Sequence, residues 1–236
     1  MKNLLLSLFV MLSLSSCAQK LNLGKVVNSV LNSGSLSEDE IGQGLKEALS
    51  VGVNLGADKA SAMDGYFKNP KLRIPFPPEV QRVENTLRGI GLGSEVDKFV
   101  LALNRGAEEA AREAKPIFLN AIKQLTIRDA MNILKGEKDA ATQFLRRTTT
   151  SQLAQAFEPS VVKALEKTQA TRYYGDLANA YNKVPFVSKV NPDLKGYATQ
   201  KAIDGLFILV AEEEAKIREN PLARTSDLLK RVFGSI

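Results

Sequence analysis

The chain has 236 residues, 44% hydrophobic and 25% charged, with a formal net charge of +6, no histidine and one cysteine. That much apolar material excludes disorder as the default and suffices for one domain or two small ones. The lack of histidine excludes the ordinary Ser/His/Asp and Cys/His arrangements, imidazole zinc sites and Glu-x-x-His di-iron sites; a carboxylate pair could still do acid–base work, so the composition points away from an enzyme without excluding one.

Met1-Lys2-Asn3 is a short positive segment and Leu4 to Leu14 an eleven-residue apolar run. That run has the order of an export signal and is too short to span a bilayer, which takes about 20 residues. Leu14-Ser15-Ser16-Cys17 then resembles the lipobox of bacterial lipoproteins: small residues admit a peptidase, and the thiol is the atom that can be alkylated. The competing reading is an ordinary secretory peptide with an incidental cysteine. The lipobox reading divides the chain into a signal peptide (1–16), a lipidated N-terminus and tether (17–36) and a single all-helical domain (37–236). Cys17 is then the lipidation site, several acyl chains supply the membrane hold, and membrane lipid is the first partner. Ala18, where an aspartate often marks inner-membrane retention, points to the periplasmic face of the outer membrane. Loss of Lys2 lowers the charge to +5. No Lys/Arg block interleaves with aromatics, so no nucleic-acid partner is expected, and the doublet Arg146-Arg147 reads as a solvated helix face.

From residue 21 to 31 helical character is weak, and "NSGS" breaks it. Ser37-Glu38-Asp39-Glu40 is a capping box, followed by Ile41, Leu45, Ala48 and Leu49 on one face. "NLGADKASAMDGYF" reads as a second helix. "NPKLRIPFPPE" (69–79) cannot be helical with Pro70, Pro75, Pro77 and Pro78, and forms either an ordered lid or packed chain; Pro78 opens the next helix, which ends near Gly89 or Gly91. Ser94-Glu95-Val96-Asp97 reads as another capping box, starting a long helix over about 95–124 that Pro116 bends. Thr126 to Asp129 caps a short helix that ends at Gly136. A helix over 137–157 has a weak middle at three threonines, and Glu158-Pro159 starts another toward Tyr181, broken by Pro185. Asn191-Pro192 opens a long helix with an apolar centre at Leu206–Val210, and a short one runs from Ser226 to Phe233. No segment alternates as a strand, so the fold class is all-α, a compact multi-helix domain with long antiparallel helices and a proline-rich connection.

Four polar clusters stand out. Asn104, Arg105 and Glu108 share a helix sector; Asp129 sits behind its cap; Asp204 precedes the apolar centre and Glu212, Glu213 and Glu214 follow it; Arg218 and Arg224 flank Asn220-Pro221. Glu214 to Arg218 is the spacing of a helix ion pair. Asp204 reads as a core-edge anchor awaiting a cation from another helix, or as a cation ligand with Glu108 or Glu213. Nothing has metal-site spacing, so neither metal nor cofactor is expected.

"DGYFKNPKLRIPFP" (64–77), "LNRGAEEAAREAKPIF" (103–118), "DAATQFLR" (139–146) and "DGLFILVAEEEAKIRENPLARTSDLLKRVFG" (204–234) together resemble the bacterial family called domain of unknown function 4197. The resemblance implies an all-helical fold in exported proteins, often lipoproteins, and brings no reaction. It points to Asp64, Gly65, Tyr66, Asn104, Arg105, Glu108, Asp129, Asp204, Gly205, Glu213, Arg218, Asn220, Pro221 and Arg224, and it leads one to expect alanine at 106, where glycine here implies close packing. The leading expectation is a membrane-anchored binding or scaffold module with an envelope-protein partner. The alternative is a small apolar ligand or lipid held among Phe67, Phe76, Phe118, Phe186 and Phe207 near Asn104 and Asp204; a carboxylate-based enzyme comes third.

Overall fold

Ser37 opens the first helix as its sequence requires. Its Oγ accepts the Glu40 N–H at 3.2 Å while the Glu40 carboxylate accepts the Ser37 N–H at 2.9 Å, so two free donors are satisfied reciprocally. The computed structural model describes residues 36–89, 91–167 and 193–234 together with 174, 175, 179, 182, 183, 186 and 189. No strand occurs among them, and the domain is all-helical. The signal, lipobox and tether, the segment 21–31, Pro185 and Asn191-Pro192 lie outside the described residues.

The helices are α1 (Glu38–Ser61), α2 (Gln81–Gly89), α3 (Gly93–Ala110), α4 (Ala114–Lys123), α5 (Ile127–Lys135), α6 (Ala140–Glu166), α7 (Leu194–Glu219) and α8 (Asp227–Gly234). α7 packs along both α1 and α6, and α3 lies against α6 on another side; these are the most extensive contacts. Leu206, Phe207, Leu209 and Val210 of the apolar centre of α7 are buried between those neighbours.

Several boundaries differ from the sequence reading. α1 is one helix to Ser61, where two were expected, because Gly52 and Gly56 face α7 and allow its backbone near rather than breaking the turn. Ser94 makes no cap: α3 begins at Gly93, and Leu92 O accepts the N–H groups of Glu95 and Val96 instead. The long helix expected over 95–124 is two, joined by a 3-10 turn at Ala111–Glu113. Pro116 explains this, since its ring would clash with the Arg112 carbonyl in a continuous helix, whereas it fits the first turn of α4.

α6 shows the opposite outcome. Pro159 lies inside it, and the helix runs unbroken from Ala140 to Glu166. Apart from Thr142, its buried residues recur every four positions, Ala141, Leu145, Thr149, Leu153, Phe157, Val161 and Leu165. Each step advances about 40° around the helix, so the stripe winds from one neighbour to the next. That packing spans the proline, whose missing bond falls toward exposed Gln155. Thr148, Thr149 and Thr150 turn their hydroxyls back onto the carbonyls of Phe144, Leu145 and Arg146 and so do not interrupt the helix. At the α3–α6 crossing, a Cβ on Gly106 would lie 2.9 Å from Ala164 Cβ and 3.3 Å from Val161 Cα, the close packing expected of glycine there.

Candidate functional site

The segment after α1 is held by two residues of α3. Ala62 is extended and Asp64 takes a left-handed φ of 65°, so the chain turns sharply. Gly65 follows where no side chain fits, since a Cβ would lie 2.3 Å from Lys59 O. Glu108, buried on α3, accepts the N–H groups of Tyr66 and Phe67, each at 3.1 Å, with one oxygen and pairs Arg105 with the other. Arg105 reaches Asp64 at 2.7 Å, and Lys68 reaches the second Asp64 oxygen at 2.8 Å. Lys68 and Arg105 therefore hold the Asp64 carboxyl below its ordinary pKa.

One turn away, Asn104 is fully buried and clamps the proline-rich connection from both sides. Its Oδ1 accepts the Ile74 N–H at 2.9 Å, and its Nδ2 donates to Ile74 O at 2.9 Å and Val100 O at 2.7 Å. Leu72, Ile74 and Phe76 are buried, and Phe76 packs on Phe99 with ring centroids 4.9 Å apart. The connection is packed chain rather than a lid. Tyr66 donates to Ala202 O at 2.5 Å, and its ring occupies the space that Gly205 leaves open on α7. Burial, with the nearby Glu108 charge, pushes its phenol pKa far up, so it stays a neutral donor.

The remaining sequence candidates hold helix ends or pair with cations. Asp129 completes the α5 capping box with Thr126, whose hydroxyl and backbone N–H lower its pKa. Arg218 donates to Ile133 O at the end of α5, and Arg224 donates to the carbonyls of Ile217 and Arg218 at the end of α7. Burial alone would raise the Glu213 pKa, yet Lys216 and Lys59 outweigh it and hold the carboxylate below its usual range. Asp204 meets Arg146 at 3.0 Å, and that guanidinium lies 4.5 Å from the Phe207 ring centroid. Arg146 is thus an inter-helix anchor, which corrects the reading of the basic doublet as a merely solvated face.

Glu108, Asp204 and Glu213 each meet their own cation, so the alternative of a shared metal site does not form. Among the described residues no group of three or more metal-binding side chains converges, and no helix is long and apolar enough to cross a membrane. The five phenylalanines do not surround one cavity. Phe118 and Phe207 pack edge to face at 5.6 Å, Phe67 lies under the guanidinium groups of Arg73 and Arg105, and Phe186 is fully exposed. The cavity against Leu45, Val53 and Val210 measures about 20 Å³, room for about one water.

Sequence reasoning missed the partner role of Glu214, treated as one half of a helix ion pair. Besides Arg218 at 2.9 Å it accepts the N–H groups of Ala141 and Thr142 at 3.0 and 2.8 Å and the Thr142 hydroxyl at 2.8 Å, which caps α6 from another helix. The available sequence signal was indirect: Asp139 precedes α6 and makes no side-chain cap. Also unforeseen is an open groove of about 690 Å³ between α3 and the end of α6, with Lys98, Arg105 and Arg112 on one wall and Lys163 and Lys167 on the other.

A family model described as "Protein of unknown function (DUF4197)" matches residues 35–234. No curated protein and no solved structure matches the chain.

Proposed function

This chain belongs to the DUF4197 family, whose description assigns no reaction, and from its own residues we propose that it is a lipid-anchored protein of the cell envelope whose helical domain is a binding or scaffold module. The observation that carries the binding reading is how the polar residues are used. Asn104, Arg105, Glu108, Asp129, Asp204, Glu213, Arg218 and Arg224 each bind a backbone group or a counter-charge within the domain. Side chains committed to such internal partners are not available to a substrate, which favours function at the surface over internal chemistry. Anchoring is supported by Leu14-Ser15-Ser16-Cys17 behind its apolar run, upstream of the helical domain that Ser37 opens. Ala18 supports the periplasmic face of the outer membrane.

Two measurements test these claims. Mass analysis of the mature N-terminus is expected to find Cys17 as the first residue carrying acyl chains, and Cys17→Ser is expected to release a folded protein from the membrane fraction. An unmodified thiol, or equal retention of the serine variant, refutes the anchor. Photo-cross-linking in intact envelopes is expected to give a reproducible protein adduct from at least one surface position of the domain. Turnover in a broad substrate screen with no adduct anywhere refutes the binding module.

A further inference from the structure

The groove between α3 and α6 has an apolar floor and two cationic walls. Its floor lies where the helices touch: Gly106 against Ala164, with Ala102 and Leu101 beside them and Met63, 83% exposed, at its edge. Lys98 and Arg105 lie seven residues apart on α3, a spacing that keeps them on one face, and Arg112 follows seven residues later in the 3-10 turn beyond the helix. Lys163 and Lys167, four apart, face them from α6. Of the two carboxylates in the lining, Glu108 is turned onto Arg105 and the Tyr66 and Phe67 amides, and Glu109 is paired with Arg112. Lys98 is paired with Glu95. Lys163 and Lys167 meet no carboxylate among the described residues. Their place at the carbonyl end of α6 is favourable for cations, but it does not account for the facing row on α3.

We propose that this groove receives an acidic amphipathic helix of a partner protein, its apolar side chains on the Ala102, Gly106 and Ala164 floor and its carboxylates against Lys163, Lys167 and Lys98. The geometry chooses a helix. Lys98 to Arg112 spans about 21 Å, or four helical turns, and the cations form two rows along an apolar trough, the pattern of a helix laid into a groove. A phosphate headgroup would instead want donors converging on one point. The inference rests on the domain being a binding module and adds where, and to what chemistry, it binds.

The test uses the full chain and a fluorescein-labelled synthetic helix of about four turns, with leucine at every third or fourth position and glutamate flanking them. Binding is expected to weaken as salt rises. It is expected to fall about tenfold or more in Lys163→Glu/Lys167→Glu and in Ala102→Trp, which fills the floor, but less than about twofold in Lys135→Glu/Lys138→Glu outside the groove. Unchanged thermal melting of the variants removes misfolding as a cause. No binding, or an equal loss in the outside variant, overturns the proposal. So does binding of phosphatidylglycerol vesicles through Lys163 and Lys167 by a chain that ignores the peptide. In intact envelopes, a photo-cross-linker at Ala102 is expected to label an acidic helical segment. Adducts only from positions outside the groove, such as Leu222, 91% exposed, leave the binding module standing and overturn the groove; no adduct from any surface position, with turnover in the substrate screen, overturns both.

Discussion

Replacing Glu214 with alanine should be among the most damaging single changes that leave the apolar core intact. Its carboxylate is 5% exposed and Arg218 13% exposed, so neither charge has bulk water to fall back on. The substitution removes the countercharge of Arg218 and the acceptor for the Ala141 and Thr142 N–H groups and the Thr142 hydroxyl. Breaking one side of a buried pair costs about 3–5 kcal/mol, which already includes part of the cost of the unpaired donors. With about 4 kcal/mol lost and a urea dependence of about 2.5 kcal/mol per molar, the midpoint should fall by about 1.6 M. Urea titration followed by far-UV circular dichroism measures this. Amide exchange at Ala141 and Thr142 should accelerate more than at Leu153, in the middle of the same helix. Arg218→Met in the Glu214→Ala background should cost less than in the wild type, a coupling of about 2 kcal/mol. A midpoint shift below about 0.4 M, equivalent to about 1 kcal/mol, or strict additivity with Arg218→Met, would refute the claim that Glu214 caps α6 across the helix interface.

Asn104→Ala should lose about 3 kcal/mol by orphaning both backbone groups of Ile74, and trypsin should then cut sooner at Lys71 or Arg73; unchanged cleavage would count against the clamp. Gly205→Ala places a methyl 2.6 Å from Tyr66 Cε1, on a ring held by its bond to Ala202 O, so it should destabilise by about 2 kcal/mol despite alanine's better helix propensity; a neutral or stabilising result in the same urea assay would show that the ring yields. Asp64, Asp129 and Glu213 have folded pKa values below their ordinary ones, so their stabilisation is complete above about pH 4.3 and is lost as the pH falls through the folded values. With no histidine in the chain, the melting temperature should stay flat between about pH 5.5 and 8 and drop below about pH 4; a step centred between 6 and 7 would contradict this.

Local chemistry made much of the fold legible. Ser37 with Glu40 and Thr126 with Asp129 start helices because the hydroxyl and carboxylate that satisfy the first amides lie three residues apart, and Gly136 stops one where a Cβ would meet Asn132 O at 2.7 Å. The candidate polar residues were also legible as a set, since charged and amide side chains at the edges of apolar stripes must find partners. The partners of several were not, because they lie far along the chain: Asn104 with Ile74, Asp204 with Arg146, Arg218 with Ile133.

By itself the sequence determined an all-helical class, most helix starts and a core drawn from its periodic apolar residues, because these depend on residues within a few positions of one another. Tertiary structure decided what depends on a neighbour. Pro159 stays inside α6 because Leu153, Phe157, Val161 and Leu165 are buried on both sides of it, whereas Pro116 coincides with a break in the preceding turn. Gly52 and Gly56 let α1 continue because α7 lies against them. Only packing shows Glu214 capping a helix more than 70 residues away, or sets Lys163 and Lys167 opposite Lys98, Arg105 and Arg112. Those contacts exist only after distant segments meet, and no local preference encodes them.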